Sequence, residues 1–458
     1  MRPPGLPCLR SQGAAHEGNA VLKGLKWVGV TVLGMGVLVG GVLLVSWLMP
    51  VPAEERRALQ VMEAGLPAMA PERNAFPAIW LLDHDGMTPA QIQAQTAEDA
   101  RRWAPGPARG AAPAGDAVAV ETHVAKVTPA TGWCRRDVSA CLAAVRADAD
   151  AVAQAHAGHD GLHARIAALG EDDHYRSLFV PDTAMPFPAF QVLMERTSWH
   201  ALAHVRGNST QALQGTCEDI RTGRMLMARS DSVLVAMVGS AMAERNAGLF
   251  TEILAELPAG AAVPATCQQA LVAPTVAELD LCLPMRGEFA FVRAAMANQP
   301  ALEQAQGWLH VEGKTQARNA WQMSRTCGAK VQAQIHDDRP VQLPAAPSIW
   351  SLACVANAAG CMTLAISEPA YDDYSLRMQD AGAQLRLAGA MLWLHGQPRG
   401  QTDALARLAA MPQALRSTQR PPQLSADGQR VQVPRYGRAG GGGPALISAP
   451  LPQAWRPH

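Results

Sequence analysis

The chain has 458 residues, of which 48% are hydrophobic and 17% are charged. At roughly 150 residues per domain, this length allows two or three domains, and the apolar content can bury a large core, which excludes global disorder. The formal net charge is zero. Since no long basic run attracts phosphates, we expect no nucleic-acid partner.

An uncharged apolar run of 23 residues covers positions 27–49. About 20 such residues cross the hydrocarbon core of a bilayer as a helix. Lys23 and Lys26 precede the run and Pro50 follows it, so the basic side is predicted to stay in the cytoplasm. We therefore expect a single-pass protein of a bacterial inner membrane, with residues 1–26 cytoplasmic and most of the chain periplasmic.

Two questions about this apolar run stay open in the sequence. Val51-Pro52-Ala53 loosely resembles a signal-peptidase site, but the run exceeds the roughly 7–15 residues of a signal-peptide core, which favours an uncleaved signal-anchor. Gly36 and Gly40 form a GxxxG pair. Small residues at this spacing let two helices approach closely, so a homodimer is one option, and the high frequency of glycine in membrane helices is the other.

Eight of the nine cysteines follow the apolar run, and Cys8 precedes it. An even number of cysteines in an exported region predicts structural disulfides, and the absence of any CxxC motif argues against a zinc ribbon or a thioredoxin-like site. Spacing favours two short loops and two longer staples, although other pairings stay open. The expected pairs are Cys134 with Cys141, Cys354 with Cys361, Cys267 with Cys282, and Cys217 with Cys327.

The expected fold class is mainly α: one transmembrane helix, then a disulfide-braced helical extracytoplasmic domain with a small C-terminal β-hairpin. Asp427-Gly428 suits a type I′ hairpin turn. The predicted domains are a stalk and Pro/Gly/Ala-rich linker over 50–132, a helical periplasmic domain over 133–340, a C-terminal helical subdomain with the hairpin over 348–434, and a flexible tail over 435–458. Helices are predicted over 53–62, 88–103, 137–169, 188–206, 209–228, 231–257, 275–297, 300–312, 314–333, 369–395 and 402–415, and a weak edge strand over 117–127.

His156, His159 and His163 are spaced i, i+3 and i+7, so on one continuous helix they would share a face. Neutral imidazoles arranged in this way can bind zinc or a transition metal. No HExxH motif supplies a general base beside a ligand pair. The alternative, which the alanine-rich context favours, is three histidines on the surface of a helix.

His200 and His204 form a second pair, at i and i+4. Together with Glu195 they could supply a facial set of metal ligands. Their apolar neighbours favour the alternative, which is a packed helix with two partly buried imidazoles.

Motifs with a known catalytic mechanism are missing from the sequence. The chain has no GxSxG, no Walker A loop, no GxGxxG and no Ser-x-x-Lys set, so no catalytic residue and no cofactor is predicted. The sequence favours a non-catalytic envelope scaffold or interaction protein that contacts the bilayer and a protein partner. The alternative is a membrane-anchored periplasmic hydrolase with a metal-assisted site at the histidines named above.

Overall fold

A computed structural model describes residues 14–103, 133–134, 140–181, 185–297, 307–398, 403–437 and 445–456. It is mostly helical, with 66% of residues in helices. The predicted edge strand and most of the predicted 300–312 helix lie outside the described residues. The α-helices are α1 (Ala14–Leu48), α2 (Ala53–Glu63), α3 (Phe76–Trp80), α4 (Pro89–Arg102), α5 (Cys141–Ala147), α6 (Ala149–His156), α7 (Asp160–Ala168), α8 (Arg196–Val205), α9 (Ser209–Arg229), α10 (Val233–Glu256), α11 (Ala265–Ala270), α12 (Val276–Leu279), α13 (Cys282–Ala297), α14 (Glu312–Ser324), α15 (Ala329–His336), α16 (Leu352–Val355), α17 (Ala358–His395) and α18 (Ala404–Leu408).

Helix α1 contains the apolar run. Its segment Leu25–Leu48 has 24 residues and a mean hydropathy of 2.4, and it is the one helix in the described ranges that is long and apolar enough to cross a membrane. The helix ends before Pro50 and Pro52, because proline cannot continue the hydrogen-bond ladder.

The prediction that residues 53–62 form part of a stalk is wrong, because this segment, α2, is packed against the helical body. It packs against α13 and α14, and it buries Glu55, Ala58 and Met62. Further along, α4 begins as predicted: the Thr88 side chain accepts a hydrogen bond from the backbone N–H of Gln91, and the Gln91 side chain accepts one from the backbone N–H of Thr88. This capping box satisfies two donors that a helix start leaves without partners.

Helices α9 and α10 form the centre of the body. They are joined by a short turn, and α10 alone buries fifteen of its residues. α8, α11 and α12 pack against α9, while α17, α13 and α5 pack against α10. Buried side chains from Ala58 to Trp455 belong to one hydrophobic core, including residues on both sides of the predicted linker at 340–347.

The C-terminal sheet is larger than the predicted hairpin. Three antiparallel strands, in the order β1 (Gln423–Leu424), β2 (Arg430–Pro434) and β3 (Leu446–Pro450), make up the sheet. The hairpin is confirmed, but the type I′ turn is wrong: Gly428 has φ +66° and Asp427 has a negative φ, whereas type I′ needs both positive. The predicted tail is also wrong in part, since β3 belongs to the sheet and the Trp455 indole donates to the Leu394 carbonyl over 3.0 Å.

A buried carboxylate attaches this sheet region to the helices. Asp380 on α17 is 1% exposed, and it accepts hydrogen bonds from the Arg420 guanidinium over 2.7 Å and from the backbone N–H groups of Tyr436 and Gly437. Burial raises the pKa of Asp380, while these donors and the charge of Arg420 act in the opposite direction. The network therefore ties the chain after β2 to the middle of α17.

The eight cysteines after the apolar helix form four pairs at disulfide distance. Cys134 pairs with Cys141 and Cys354 with Cys361, as spacing suggested. The two longer predictions are wrong: Cys217 pairs with Cys267, and Cys282 pairs with Cys327. The reason is tertiary, because α11 packs against α9 and α13 packs against the turn that contains Cys327.

Replacing Cys217 and Cys267 together by alanine is expected to reduce the free energy of unfolding by about 4 kcal/mol, since the bridge closes a separation of 50 residues. The matched double substitution at Cys134 and Cys141 removes a bridge that closes a separation of only 7 residues. It is expected to reduce the free energy of unfolding by about 2 kcal/mol. Urea unfolding of the detergent-solubilised chain, with disulfide mapping of its non-reduced peptides, measures both. Equal losses, or a peptide that links Cys217 to Cys327, would contradict the assignment.

Candidate functional site

The first group of candidate histidines is buried. The predicted 137–169 helix is broken into three helices, and Gly158 with φ +81° lies in the turn between α6 and α7. His156 ends α6, His159 precedes α7 and His163 lies within α7, with exposures of 1%, 8% and 6%. Both the single helical face and the surface location predicted for these histidines are therefore wrong.

Two of these imidazoles lie between indole rings. His156 Nδ1 and His163 Nε2 are 3.2 Å apart. The His156 ring stacks on Trp133 with centroids 4.9 Å apart, and the His163 ring stacks on Trp199 at the same distance. A hydrogen bond between two neutral imidazoles needs one N–H donor and one bare nitrogen, so the nitrogens that face each other are already used.

Burial lowers the pKa of His156 to about 4 and that of His163 to about 3. The neighbouring imidazoles act in the same direction, because a second positive charge close by disfavours protonation. Both rings are therefore neutral at pH 7. Neutral imidazoles can ligate metals, yet within the described ranges no three His, Cys, Asp or Glu side chains form a group that could hold an ion.

The second histidine pair is divided between two environments. His200 Nε2 lies 2.9 Å from Asp219 Oδ2, and Arg196 donates to the other oxygen of the same carboxylate. All three side chains are buried. The His200 ring lies against Gly215 of α9, where a Cβ atom would come within 2.3 Å of the imidazole, so the contact requires glycine.

His204 makes different contacts from His200. Its Nδ1 is 2.9 Å from Ser209 Oγ, and its Nε2 is 2.9 Å from Glu256 Oε2. Arg146 donates to both oxygens of Glu256, at 3.2 and 2.8 Å. Although burial acts to raise the pKa of Glu256, the hydrogen bonds from Arg146 and His204 hold it below its usual value.

The sequence did not predict this serine–histidine–glutamate chain. Ser209 is the first residue of α9, and the sequence predicted it only as the start of the 209–228 helix. Glu256 ends α10, far along the chain. No local spacing brings the two together, because their proximity depends on how α8 packs between α9 and α10.

Glu195, the third expected ligand, does not complete a metal set. Burial raises the pKa of its carboxyl to about 7. One of its carboxyl oxygens is buried without a hydrogen-bond partner. The expected facial set is therefore not assembled, since His200 contacts Asp219 and His204 contacts Ser209 and Glu256.

An open cavity of about 570 Å³ lies between the end of α8 and the first turns of α9. Asn208, which precedes α9, makes no side-chain capping hydrogen bond. N–H groups in the first turn of a helix have no partner within that helix, so they are available as donors. The cavity is lined by Arg196, Trp199, His200, Ala203, Gly207, Asn208, Ser209, Thr210, Gln211, Gln214, Gly215 and Glu218.

The chain matches no protein-family model, and comparison with curated proteins and with solved structures gave no significant match. The function of the site therefore has to be inferred from its geometry.

Acid is expected to destabilise the protein through the buried histidine pair. The pKa values of His156 and His163 in the folded chain lie below the unfolded value near 6.5. The contribution of these two rings to the free energy of unfolding is therefore complete above pH 6.5 and is lost as pH falls toward 4. The slope is at most about 1.4 kcal/mol per pH unit for each ring. His163→Gln removes the pH-dependent contribution of one ring. The difference in the free energy of unfolding between this variant and the unsubstituted chain should therefore become smaller between pH 6.5 and pH 4.

The control is Gln268→Ala, which replaces an exposed side chain of α11 that does not titrate and should leave the slope unchanged. Urea unfolding at several pH values measures both variants. If the difference in the free energy of unfolding between His163→Gln and the unsubstituted chain stays constant from pH 6.5 to pH 4, the role assigned to the buried pair is contradicted.

Proposed function

We propose that this chain is a single-pass membrane protein of a bacterial envelope, whose folded body lies in the periplasm and serves as a non-catalytic interaction or scaffold module. The proposal rests on how the apolar helix ends. Ser46 is fully buried, its Oγ donates to the Leu352 carbonyl over 2.6 Å, and the same Oγ accepts from the Ala356 N–H over 2.9 Å. A segment hydrogen-bonded into the body in this way is typical of a retained anchor, and it argues against a cleaved signal peptide.

The proposed orientation follows from charge and from the cysteines. Lys23 and Lys26 lie before the apolar segment, and basic residues are retained on the cytoplasmic side. The paired cysteines follow the segment, and disulfides persist in oxidising compartments. Both observations support an inner-membrane protein with a cytoplasmic N-terminus and a periplasmic body.

The scaffold role is supported by the way the body uses its polar groups. His156, His163 and His200 are held by ring stacking and by a buried carboxylate, which are contacts that rigidify a fold. A homodimer through Gly36 and Gly40 stays a prediction: a Cβ atom at either position would meet nothing within 4 Å, so a second helix has room to approach.

In-cell photo-crosslinking tests the scaffold role. A photoreactive amino acid at exposed positions of the body, Leu234 and Val272, and of the apolar helix, Val37, should give discrete adducts with one defined partner or a second copy. The partner is identified by mass spectrometry. Absence of discrete adducts at all three positions, together with stoichiometric bound metal in the purified chain, would contradict the proposal.

Thiol labelling of the same cells provides the location control. The eight cysteines after the apolar segment should react with a membrane-impermeant maleimide only after reduction. Cys8, which lies outside the described residues, should react only after the cells are lysed. If these eight cysteines are reduced and react with the maleimide only after lysis, the body lies in the cytosol and the proposed location is overturned.

A second candidate function is that of a serine hydrolase, favoured by the chain of Ser209, His204 and Glu256 beside the cavity. In this scheme His204 accepts the Ser209 proton at Nδ1 while the Ser209 oxygen attacks an ester or amide carbonyl. His204 then returns the proton to the leaving group, and water releases the acyl group from Ser209. Glu256 orients the imidazole through Nε2, and the first-turn N–H groups of α9 are the available donors for the oxyanion.

A fluorophosphonate probe is expected to modify Ser209 in the detergent-solubilised full chain, as located by peptide mass spectrometry. Ser209→Ala and His204→Asn should abolish that adduct, while Ser232→Ala, at the start of α10, should retain it. The disulfide pattern of each variant reports whether it has folded. An oxidised, folded chain without an adduct at Ser209, or full labelling of His204→Asn, would rule out the hydrolase.

A further inference from the structure

Five large apolar side chains are exposed between residues 350 and 366. Trp350 is 90% exposed and Ile366 is 82% exposed, which is unusual for residues of this size in a body with a large core. They lie on or beside α16 and the start of α17. The apolar patch consists of Trp350, Leu352, Val355, Met362 and Ile366.

The patch is continuous with the apolar helix. Both hydrogen bonds of the Ser46 side chain go to the backbone of this segment, at Leu352 and Ala356, and Lys314 Nζ donates to the Ser46 carbonyl. Ser46 lies two residues before the end of the span at Leu48, and a helix rises about 1.5 Å per residue. Leu352 is therefore held within a few ångströms of the level at which the helix leaves the hydrocarbon.

The segment that presents the patch is held in place by a disulfide and by a buried amide. Cys354 and Cys361 are paired across the turn between α16 and α17. Asn357, in the same turn, is 1% exposed; its Oδ1 accepts from the Val311 N–H over 2.7 Å and from Thr315 Oγ1 over 2.9 Å. Because the turn is fixed to α14, the apolar side chains remain on the outside of the body.

We propose that the apolar patch enters the extracytoplasmic leaflet of the bilayer beside the apolar helix, and so docks this face of the body on the membrane. This inference rests on the proposed membrane anchor. Trp350 and Trp47, both exposed, would lie at the level where tryptophan is enriched, between the headgroups and the acyl chains. A lipid surface is the occupant that the anchor itself brings to this position, whereas another occupant would have to displace lipid.

Lipid photo-crosslinking tests the proposal on the full chain. The protein is reconstituted in phosphatidylcholine nanodiscs that contain a fraction of phosphatidylcholine with a diazirine on the acyl chain, and adducts are mapped by mass spectrometry. Peptides covering 350–366 should carry several-fold more lipid adducts than the peptide with Val272. Val272 is the matched control because its exposure, 53%, equals that of Met362.

A variant with Trp350→Ser and Ile366→Ser should lose the adducts in 350–366 while those in Leu25–Leu48 persist. Adducts in Leu25–Leu48 alone in the unsubstituted chain would overturn the docked patch and leave the anchor intact. Absence of adducts from both segments would overturn the anchor, and with it the proposed function. Crosslinks that join the patch to a second copy of the chain would overturn the lipid assignment in favour of a dimer.

Discussion

The close crossing of α9 and α10 is the constraint on which the rest of the body depends. A Cβ atom on Gly223 would lie 2.7 Å from the Gly239 carbonyl oxygen, and one on Gly239 would lie 2.6 Å from that of Gly223. Only two glycines allow the helix backbones to touch in this way. Other residues of the two helices hold the outer elements. On α9, Cys217 pairs with a cysteine of α11, and Asp219 contacts a histidine of α8. On α10, Glu252 accepts a hydrogen bond from the backbone at the start of α5.

From this centre a continuous set of contacts reaches the apolar helix. α17 packs along α10, its first turns are joined to α16 by the Cys354–Cys361 pair, and α16 accepts the hydrogen bond from Ser46. α2 extends the same attachment, because it packs on α14 instead of standing free. The helical body is thus fixed to the end of the apolar segment by polar contacts on several elements, and its orientation does not depend on a flexible stalk.

The sequence predicted the elements whose signals are local. Ser209–Arg229 and Val233–Glu256 match the predicted helices closely, because the breaks on either side of them carry a glycine, a proline or the turn-forming sequence Ser-Asp-Ser. Features that depend on tertiary packing could not be predicted from the sequence. Cys267 pairs with Cys217 because α11 lies on α9. Asp427 keeps a negative φ because the strands are joined by the loop 426–429, which is longer than the two residues of a type I′ turn. Spacing alone could not show that the predicted 137–169 helix is interrupted at Gly158, or that His156 and His163 face each other across that turn.

The candidate site follows from the same packing, which is why the histidine pattern was misleading. A spacing of i, i+3 and i+7 indicates a shared face only while the helix continues, and here the helix is interrupted at Gly158 and the three imidazoles are buried. α8 then has two roles: Trp199 stacks on His163 and also lines the cavity, and His200 lines the cavity while bound to Asp219. Protonation of the buried rings would therefore loosen the wall of the cavity itself. The packing of the buried histidine pair and the shape of the cavity consequently depend on one side chain of α8, Trp199.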